Sequence, residues 1–101
     1  MRDRNLYSGL IRLHILHHAA EGPVFGQAMI DELARHGYRM SAGTLYPILH
    51  GMEAHGHLRS TVKLNGGRHR RFYRATPQGH KALATARRRV LELFGEMFEH
   101  D

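Results

Sequence analysis

The sequence predicts a mainly α-helical fold with one small two-stranded antiparallel hairpin. Several stretches carry apolar residues at helical spacing, one stretch changes to two-residue alternation, and an Asn-Gly-Gly turn divides that stretch into two strands. The chain has 101 residues, of which 42% are apolar and 24% charged. This length supports one hydrophobic core but not two, so we expect a single structural unit.

Composition excludes several classes of protein. The chain has no cysteine, which excludes disulfides, thiol nucleophiles and thiolate metal sites. No apolar run approaches the roughly 20 residues that span a bilayer, and the charged N-terminus lacks the apolar segment of a signal peptide, so we expect a cytoplasmic protein. Nine carboxylates are scattered along the chain, with no Gly-rich phosphate loop or Gly-x-Ser-x-Gly elbow. We therefore expect neither enzyme activity nor a cofactor.

The first two predicted helices cover residues 6–20 and about 26–36. In both, apolar residues recur every three or four positions and form one face. Gly22-Pro23 breaks the first pattern. Gly37 is suited to end the second helix because glycine accepts a left-handed backbone.

The third predicted helix, within residues 41–55, has the clearest pattern. Ser41 is a good N-cap whose hydroxyl can bond an amide of the first turn. Pro47 lies in the first turns, where a missing amide costs little, and Gly56 is placed to stop the helix. Its apolar face comprises Leu45, Ile48, Leu49 and Met52. The opposite face carries Thr44, Tyr46, His50 and Gly51.

A hairpin follows the third helix. Residues 58–64 alternate between apolar or small residues and polar ones, as a half-buried strand does. Asn65-Gly66-Gly67 predicts a turn, because these residues accept positive φ at low cost. Residues 71–75 form the returning strand.

The last predicted helix covers residues 77–99, with Thr76 as N-cap and Pro77 as its first residue. Its apolar face is wider than one small core needs, which is typical of a helix that meets a second chain. We expect residues 1–76 to bind nucleic acid and residues 77–101 to form a dimerisation helix, within one continuous unit. The predicted dimer interface comprises Leu6, Leu10, Leu83, Val90, Leu93, Phe94, Met97 and Phe98.

The charge distribution indicates a polyanionic partner. The formal net charge is +6, with fifteen Lys and Arg against nine Asp and Glu. No acidic residue lies between Glu53 and Glu92, an interval that holds ten of the cations. Cations concentrated in this way bind phosphates and release condensed counterions.

Three helices followed by a hairpin are the order of a winged helix. In that fold, the second and third helices make a helix-turn-helix, and the third helix enters the major groove of duplex DNA. The hairpin, or wing, can approach the phosphate backbone, because its turn is rich in glycine and its strands in arginine. We therefore expect a sequence-specific DNA-binding transcriptional regulator.

Two segments carry a resemblance to a known family. Residues 41–58, with the core Gly-Thr-Leu-Tyr-Pro, closely resemble the recognition-helix signature of PadR-like transcriptional regulators, and residues 67–79 resemble that family's wing. The single last helix resembles the compact branch of the family. The resemblance implies a homodimer made by the C-terminal helix, a palindromic operator, and repression that a small-molecule effector or cell stress releases. The chain has no tryptophan, whereas members that bind flat aromatic drugs commonly use one in the last helix.

The resemblance also implies DNA-facing positions. Thr44, Tyr46, Pro47 and His50 match them, beside the N-cap Ser41. We expect Thr44 and Tyr46 to donate to phosphates and His50 to reach bases, with a core role as the alternative for Tyr46.

The wing candidates are Lys63, Arg68, His69, Arg70 and Arg71. Alternation places Arg70 and Arg71 on opposite faces of the strand, so both cannot face DNA. We expect Arg68 at the tip to contact phosphate, while Arg70 or Arg71 can instead pair with an acidic group such as Glu53.

Two alternative functions remain open. His14, His17, His18 and Glu21 form one helical stripe that could bind a Zn²⁺-class ion, which would make a metal-responsive regulator. The chain has ten histidines in all. For those of the first helix, the interpretation that we favour is hydrogen bonding between helices or protonation near phosphate. The second alternative is a winged helix that binds protein or RNA, although only four tyrosines and four phenylalanines are available for base stacking.

Overall fold

The computed structural model describes residues 3–98. Its elements are, in order, α1 (Arg4–Glu21), β1 (Val24–Phe25), α2 (Gly26–Arg35), α3 (Ala42–Ala54), β2 (Leu58–Asn65), β3 (Arg68–Ala75) and α4 (Pro77–Phe98). The predicted fold class, mainly helical with a small antiparallel hairpin, is confirmed. Residue 99, the predicted end of the last helix, lies outside the described residues. Among the described helices, none combines the length and apolar character needed to cross a membrane.

The sheet has a third strand that the sequence pattern did not predict. Its order is β1-β3-β2, and β1 pairs antiparallel with β3 through Val24 opposite Tyr73 and Phe25 opposite Phe72. Two residues are too few to show alternation, so only pairing with β3 defines this strand. It connects the end of α1 to the edge of the hairpin and fixes where α2 begins.

The hairpin register is continuous from Leu58 opposite Ala75 to Asn65 opposite Arg68. Only Gly66 and Gly67 form the turn, both at positive φ, so the predicted three-residue turn was one residue too long. The prediction of a half-buried β2 was wrong for its second half. Val62 and Leu64 are 51% and 68% exposed, because the hairpin extends beyond the helices that could cover it.

The core lies between α1, α2, α3 and the base of the hairpin. The predicted apolar face of α3 is confirmed as buried. It packs with residues of α1, α2 and both long strands, and the fully or nearly fully buried side chains are Ile11, Ile15, Leu16, Ala19, Met29, Leu33, Leu45, Ile48, Leu49, Met52, Leu58 and Tyr73. Burial raises the pKa of the Tyr73 phenol. The polar face of α3 is thereby directed away from the core.

Two details of α3 differ from expectation. Ser41 occupies the N-cap, but its hydroxyl makes no capping bond, because the Thr44 amide bonds the Ser41 carbonyl oxygen at 3.1 Å instead. Pro47 is the sixth residue of the helix and not a first-turn residue. It therefore removes a hydrogen bond that the Gly43 carbonyl would otherwise accept. Both Gly43 and Pro47 lie on the exposed side.

Thr76 joins the start of α4 to the end of α3. The Gly79 amide donates to Thr76 Oγ1 at 2.9 Å, which confirms the predicted N-cap. The Thr76 hydroxyl also donates to the Gly56 carbonyl, and the Thr76 amide donates to the His57 carbonyl at 3.1 Å. These bonds hold α4 against the body of the domain.

Candidate DNA-binding surface

The exposed face of α3 is polar and carries no cation. Ser41, Pro47 and His50 are exposed, and Thr44 is half-buried, so four of the predicted positions share one accessible side of the helix. Within α3 the single ionisable acid is Glu53, which turns toward β2. A helix of this kind can approach base edges, but it cannot neutralise phosphates. That task has to fall to flanking elements.

Tyr46 lies apart from these four positions. Its ring is half-buried and packs against the core, and its hydroxyl lies beside Gly26 at the start of α2. A Cβ at Gly26 would collide with that hydroxyl, so glycine is required for this close approach of α2 and α3. The geometry favours the core role for the Tyr46 ring. This close packing of Tyr46 on Gly26 also fixes the angle between α2 and α3.

The tip of the wing presents exposed cations. Lys63, Arg68 and His69 are all exposed, and Arg68 pairs with Asn65 directly beside the turn. No hydrogen bond or ion pair to these three side chains occurs within residues 3–98. They are therefore available to a partner outside the chain.

The two remaining wing arginines have partners within the chain. Arg70 is part-buried, and its guanidinium carbon lies 4.9 Å from the centroid of the Phe25 ring. Arg71 donates to Ser60 Oγ at 3.0 Å. The expected alternation of Arg70 and Arg71 between the two faces of β3 is therefore present.

Glu53 connects α3 to the hairpin. Its carboxylate accepts the Ser60 amide at 2.9 Å and the Ser60 hydroxyl at 2.9 and 3.0 Å. Arg71 thus reaches Glu53 through Ser60 and not by a direct ion pair. This link fixes the base of the wing relative to the recognition helix.

We expect Glu53→Ala to lower the free energy of unfolding by about 1–3 kcal/mol, because the part-buried Ser60 amide and hydroxyl lose a charged acceptor. Urea denaturation at a fixed protein concentration measures this change. Glu92→Ala removes an exposed carboxylate from α4 and serves as the control, with an expected change below about 0.5 kcal/mol. Equal effects of the two substitutions would show that the Glu53 link contributes nothing.

A cleft borders the start of α3. It has a volume of about 480 Å³ and lies between the start of α1 and the start of α3, where Arg4, Arg12 and Ser8 face Thr44 and Pro47. Arg4 and Arg12 are exposed. Sequence reasoning did not select these two arginines, because only the fold brings α1 beside the recognition helix. Their eight-residue spacing on one helical face was the available signal.

The predicted histidine stripe of α1 divides into two parts. His17, His18 and Glu21 place one ligand atom each within 4.8 Å of one another. His14 instead stacks on His36 of α2, with ring centroids 4.7 Å apart. Burial, followed by the nearby His36, lowers the pKa of His14.

The carboxylate of Glu32 in α2 contacts three basic side chains, those of His18, Arg35 and His36. Hydrogen bonds from Arg35 and His36 lower its pKa to about 2. His18 Nε2 lies 3.4 Å from its Oε2, and His36 Nε2 lies 2.9 Å from the same atom. The His18–Glu32 contact joins α1 to α2 and matches the interhelical role that the sequence favoured for the histidines.

A long apolar surface covers α4 and the outer face of α1. Of the predicted interface residues, seven are exposed, namely Leu6, Leu10, Val90, Leu93, Phe94, Met97 and Phe98. Leu83 is half-buried and packs partly against the core. An open groove of about 880 Å³ runs between α1 and α4, with Leu10, Leu13, Leu83, Val90 and Phe94 among its lining residues.

The helix-turn-helix of α2 and α3, followed by the β2–β3 wing, defines a winged-helix protein. The sequence model of the family described as "Transcriptional regulator PadR-like family" matches residues 15–85 of the chain. The chain belongs to the PadR-like family of transcriptional regulators. Because this family consists of regulators, the prediction that the chain is not an enzyme is confirmed.

Known relatives agree with this membership. The chain is 52% identical over 94 residues to the transcriptional regulator Rv3488 of Mycobacterium tuberculosis, covering 93% of this chain and 88% of the relative. A PadR family transcriptional regulator from Eggerthella lenta is 32% identical with a TM-score of 0.73, over 96% of this chain and 88% of that one. A PadR-like regulator from Bacillus cereus shares the fold, with a TM-score of 0.81 at 22% identity, over 96% and 99% of the two chains.

Proposed function

We propose that this protein is a cytoplasmic, dimeric repressor that binds a palindromic DNA operator and is released by an effector. One observation carries the DNA-binding part of the proposal. The neutral, exposed face of α3 borders the cleft that holds Arg4 and Arg12, and the wing that follows α3 presents further exposed cations. A polar helix combined with two groups of exposed cations suits a major groove, whose edges are phosphate backbones.

In this proposal, the roles of the residues follow from their exposure. Thr44 and Ser41 donate to phosphates at the groove edge, and His50 reaches base edges from the middle of α3. Arg68, supported by Lys63 and His69, binds the backbone beside the wing. Arg70 and Arg71, which are engaged within the chain, position the wing and contribute less to DNA affinity.

The proposed dimer buries the apolar surface of α4. Leu91 is 70% exposed and Phe94 54% exposed, and such residues in a continuous stripe form a patch that isolated domains rarely keep in contact with water. The groove between α1 and α4 offers a matching concave surface for the partner's helix. A two-fold axis through such a contact places two recognition helices on one face of DNA, as a palindrome requires.

The experiment that tests this function begins with selection of bound fragments from random duplexes. We expect a palindrome whose half-sites are about one helical turn apart. No enrichment of any sequence, even at low ionic strength, would overturn the proposal.

On the selected operator, we expect Arg68→Ala to lower the slope of log affinity against log salt by about one unit per chain, because one phosphate contact is lost in each subunit. Fluorescence anisotropy titrations at several salt concentrations measure the slope. Lys81→Ala removes an exposed cation from α4, far from the wing, and should leave the slope unchanged. If the slope of log affinity against log salt is unaltered in Arg68→Ala, the wing tip is excluded as a phosphate contact.

A further inference from the structure

The end of α1 gathers groups that bind transition metals. His17 Nε2 lies 3.6 Å from one carboxylate oxygen of Glu21, and His18 Nδ1 lies 4.0 Å from the other. The three ligand atoms chosen from these residues all lie within 4.8 Å of one another. Imidazole nitrogens with one carboxylate oxygen form a donor set that Zn²⁺ and similar borderline ions prefer.

The spacing of the donor atoms fits such an ion. Ligands at about 2.0–2.1 Å from a tetrahedral Zn²⁺ lie about 3.4 Å from one another. The two histidine–Glu21 separations, 3.6 and 4.0 Å, involve different carboxylate oxygens, and a set with one ligand atom from each residue lies within 4.8 Å, so the donors must approach one another by up to about 1.4 Å. Because His17 and Glu21 are exposed side chains on the last turn of a helix, small rotations suffice to close the difference.

A second, independent observation concerns the other nitrogen of His18. Its Nε2 lies 3.4 Å from Glu32 Oε2, while Nδ1 faces Glu21. Histidines that bind metals usually direct their second nitrogen at a carboxylate, which fixes the tautomer and the ring orientation. Hydrogen bonds from Arg35 and His36 hold the Glu32 carboxylate in place. A carboxylate held by other residues therefore already lies beside the second nitrogen of His18.

The geometry points to a divalent transition-metal site made by His17, His18 and Glu21, with Glu32 as the group that orients His18. Zn²⁺ is the ion that this donor set suits best, with water completing its coordination. His14 is not a ligand, because its ring stacks on His36. The site is separate from the DNA-binding surface, and binding of the ion does not depend on DNA binding. His17 also lines the groove between α1 and α4.

The test measures Zn²⁺ binding to the metal-stripped full-length protein without DNA, by competition with a chromogenic chelator. We expect one ion per chain, with at least tenfold weaker binding in His17→Ala and in Glu21→Gln. Both positions are exposed, so these variants should fold like the unaltered protein. His80→Ala removes an exposed histidine from α4 and should bind Zn²⁺ as the unaltered protein does.

Glu32 is tested against a matched variant of the same helix. Glu32→Gln should weaken Zn²⁺ binding by about 10- to 100-fold, because His18 loses its orienting carboxylate. Arg35→Gln breaks the same Arg35–Glu32 ion pair but keeps that carboxylate, so its Zn²⁺ affinity should change by less than twofold. Equal weakening in both variants would reduce the role of Glu32 to helix stability and overturn its assignment.

Two results would overturn the site itself. One is Zn²⁺ binding that His17→Ala and Glu21→Gln leave intact. The other is binding that His80→Ala weakens as much as they do, which would indicate unspecific capture by surface histidines. Failure of operator selection alone would leave the metal site standing, since the two experiments share no readout.

Discussion

Gly79→Ala is expected to lower the free energy of unfolding by about 2–3 kcal/mol and the melting temperature by roughly 10 °C or more. Gly79 is buried in the first turn of α4, where an added Cβ would collide with the His57 carbonyl oxygen and lie 3.3 Å from Leu16 Cδ1. The colliding atom belongs to the backbone, so the side chains alone cannot relieve the contact. The start of α4 must move away from His57, which also strains the Thr76 bonds to Gly56 and His57.

Thermal and urea denaturation at one protein concentration measure this effect. Gly51→Ala is the matched control, because Gly51 lies in α3 with open space where its Cβ would be. There alanine should stabilise the chain by up to about 1 kcal/mol through its higher helix propensity. A Gly79→Ala protein as stable as the unaltered one would show that α4 is not packed against His57 as described.

Phe94→Asp is expected to convert the proposed dimer to a monomer and to weaken operator binding by at least about 100-fold. Phe94 lines the groove between α1 and α4 and contacts Phe98, with ring centroids 4.8 Å apart. A carboxylate there would be desolvated without a partner on dimer formation. Once the subunits separate, each half-site is bound independently, and the gain from linking two binding events is lost.

Sedimentation equilibrium measures the assembly, and anisotropy titrations with full and half operators measure the affinity. Thr85→Asp adds the same charge to an exposed position of α4 outside the groove lining and should remain dimeric. A monomeric Phe94→Asp protein that bound the full operator with unchanged affinity would contradict the dimer requirement. A dimeric Phe94→Asp protein would instead place the interface elsewhere.

Local patterns predicted most of the fold because they record which side of each element is buried. The apolar face of α3 and the turn of the hairpin depend on near neighbours in sequence; the first occurs as expected and the second is one residue shorter than predicted. Strand β1 and the true depth of β2 burial could not be predicted in this way. Both depend on how far the helices extend over the sheet, and a short stretch of sequence does not show this.

The candidate site shows the same division. Exposure of His50 followed from helix periodicity, and that of Arg68 from its place at the predicted tip of the wing. The engagement of Arg70 with Phe25, and the Ser60 link between Arg71 and Glu53, required knowledge of which elements meet. The Arg4–Arg12 cleft was missed for the same reason.

The sequence by itself determined that this is a basic, cysteine-free winged helix, because periodicity, turns and charge are properties of neighbouring residues, and its motifs at residues 41–58 and 67–79 indicated the PadR-like family by resemblance. Only the tertiary structure decided which cations are free, that Tyr46 packs inward, and that Glu32 of α2 meets His18 of α1. Contacts between elements distant in sequence depend on packing geometry, which the periodicity of residues along the chain does not show.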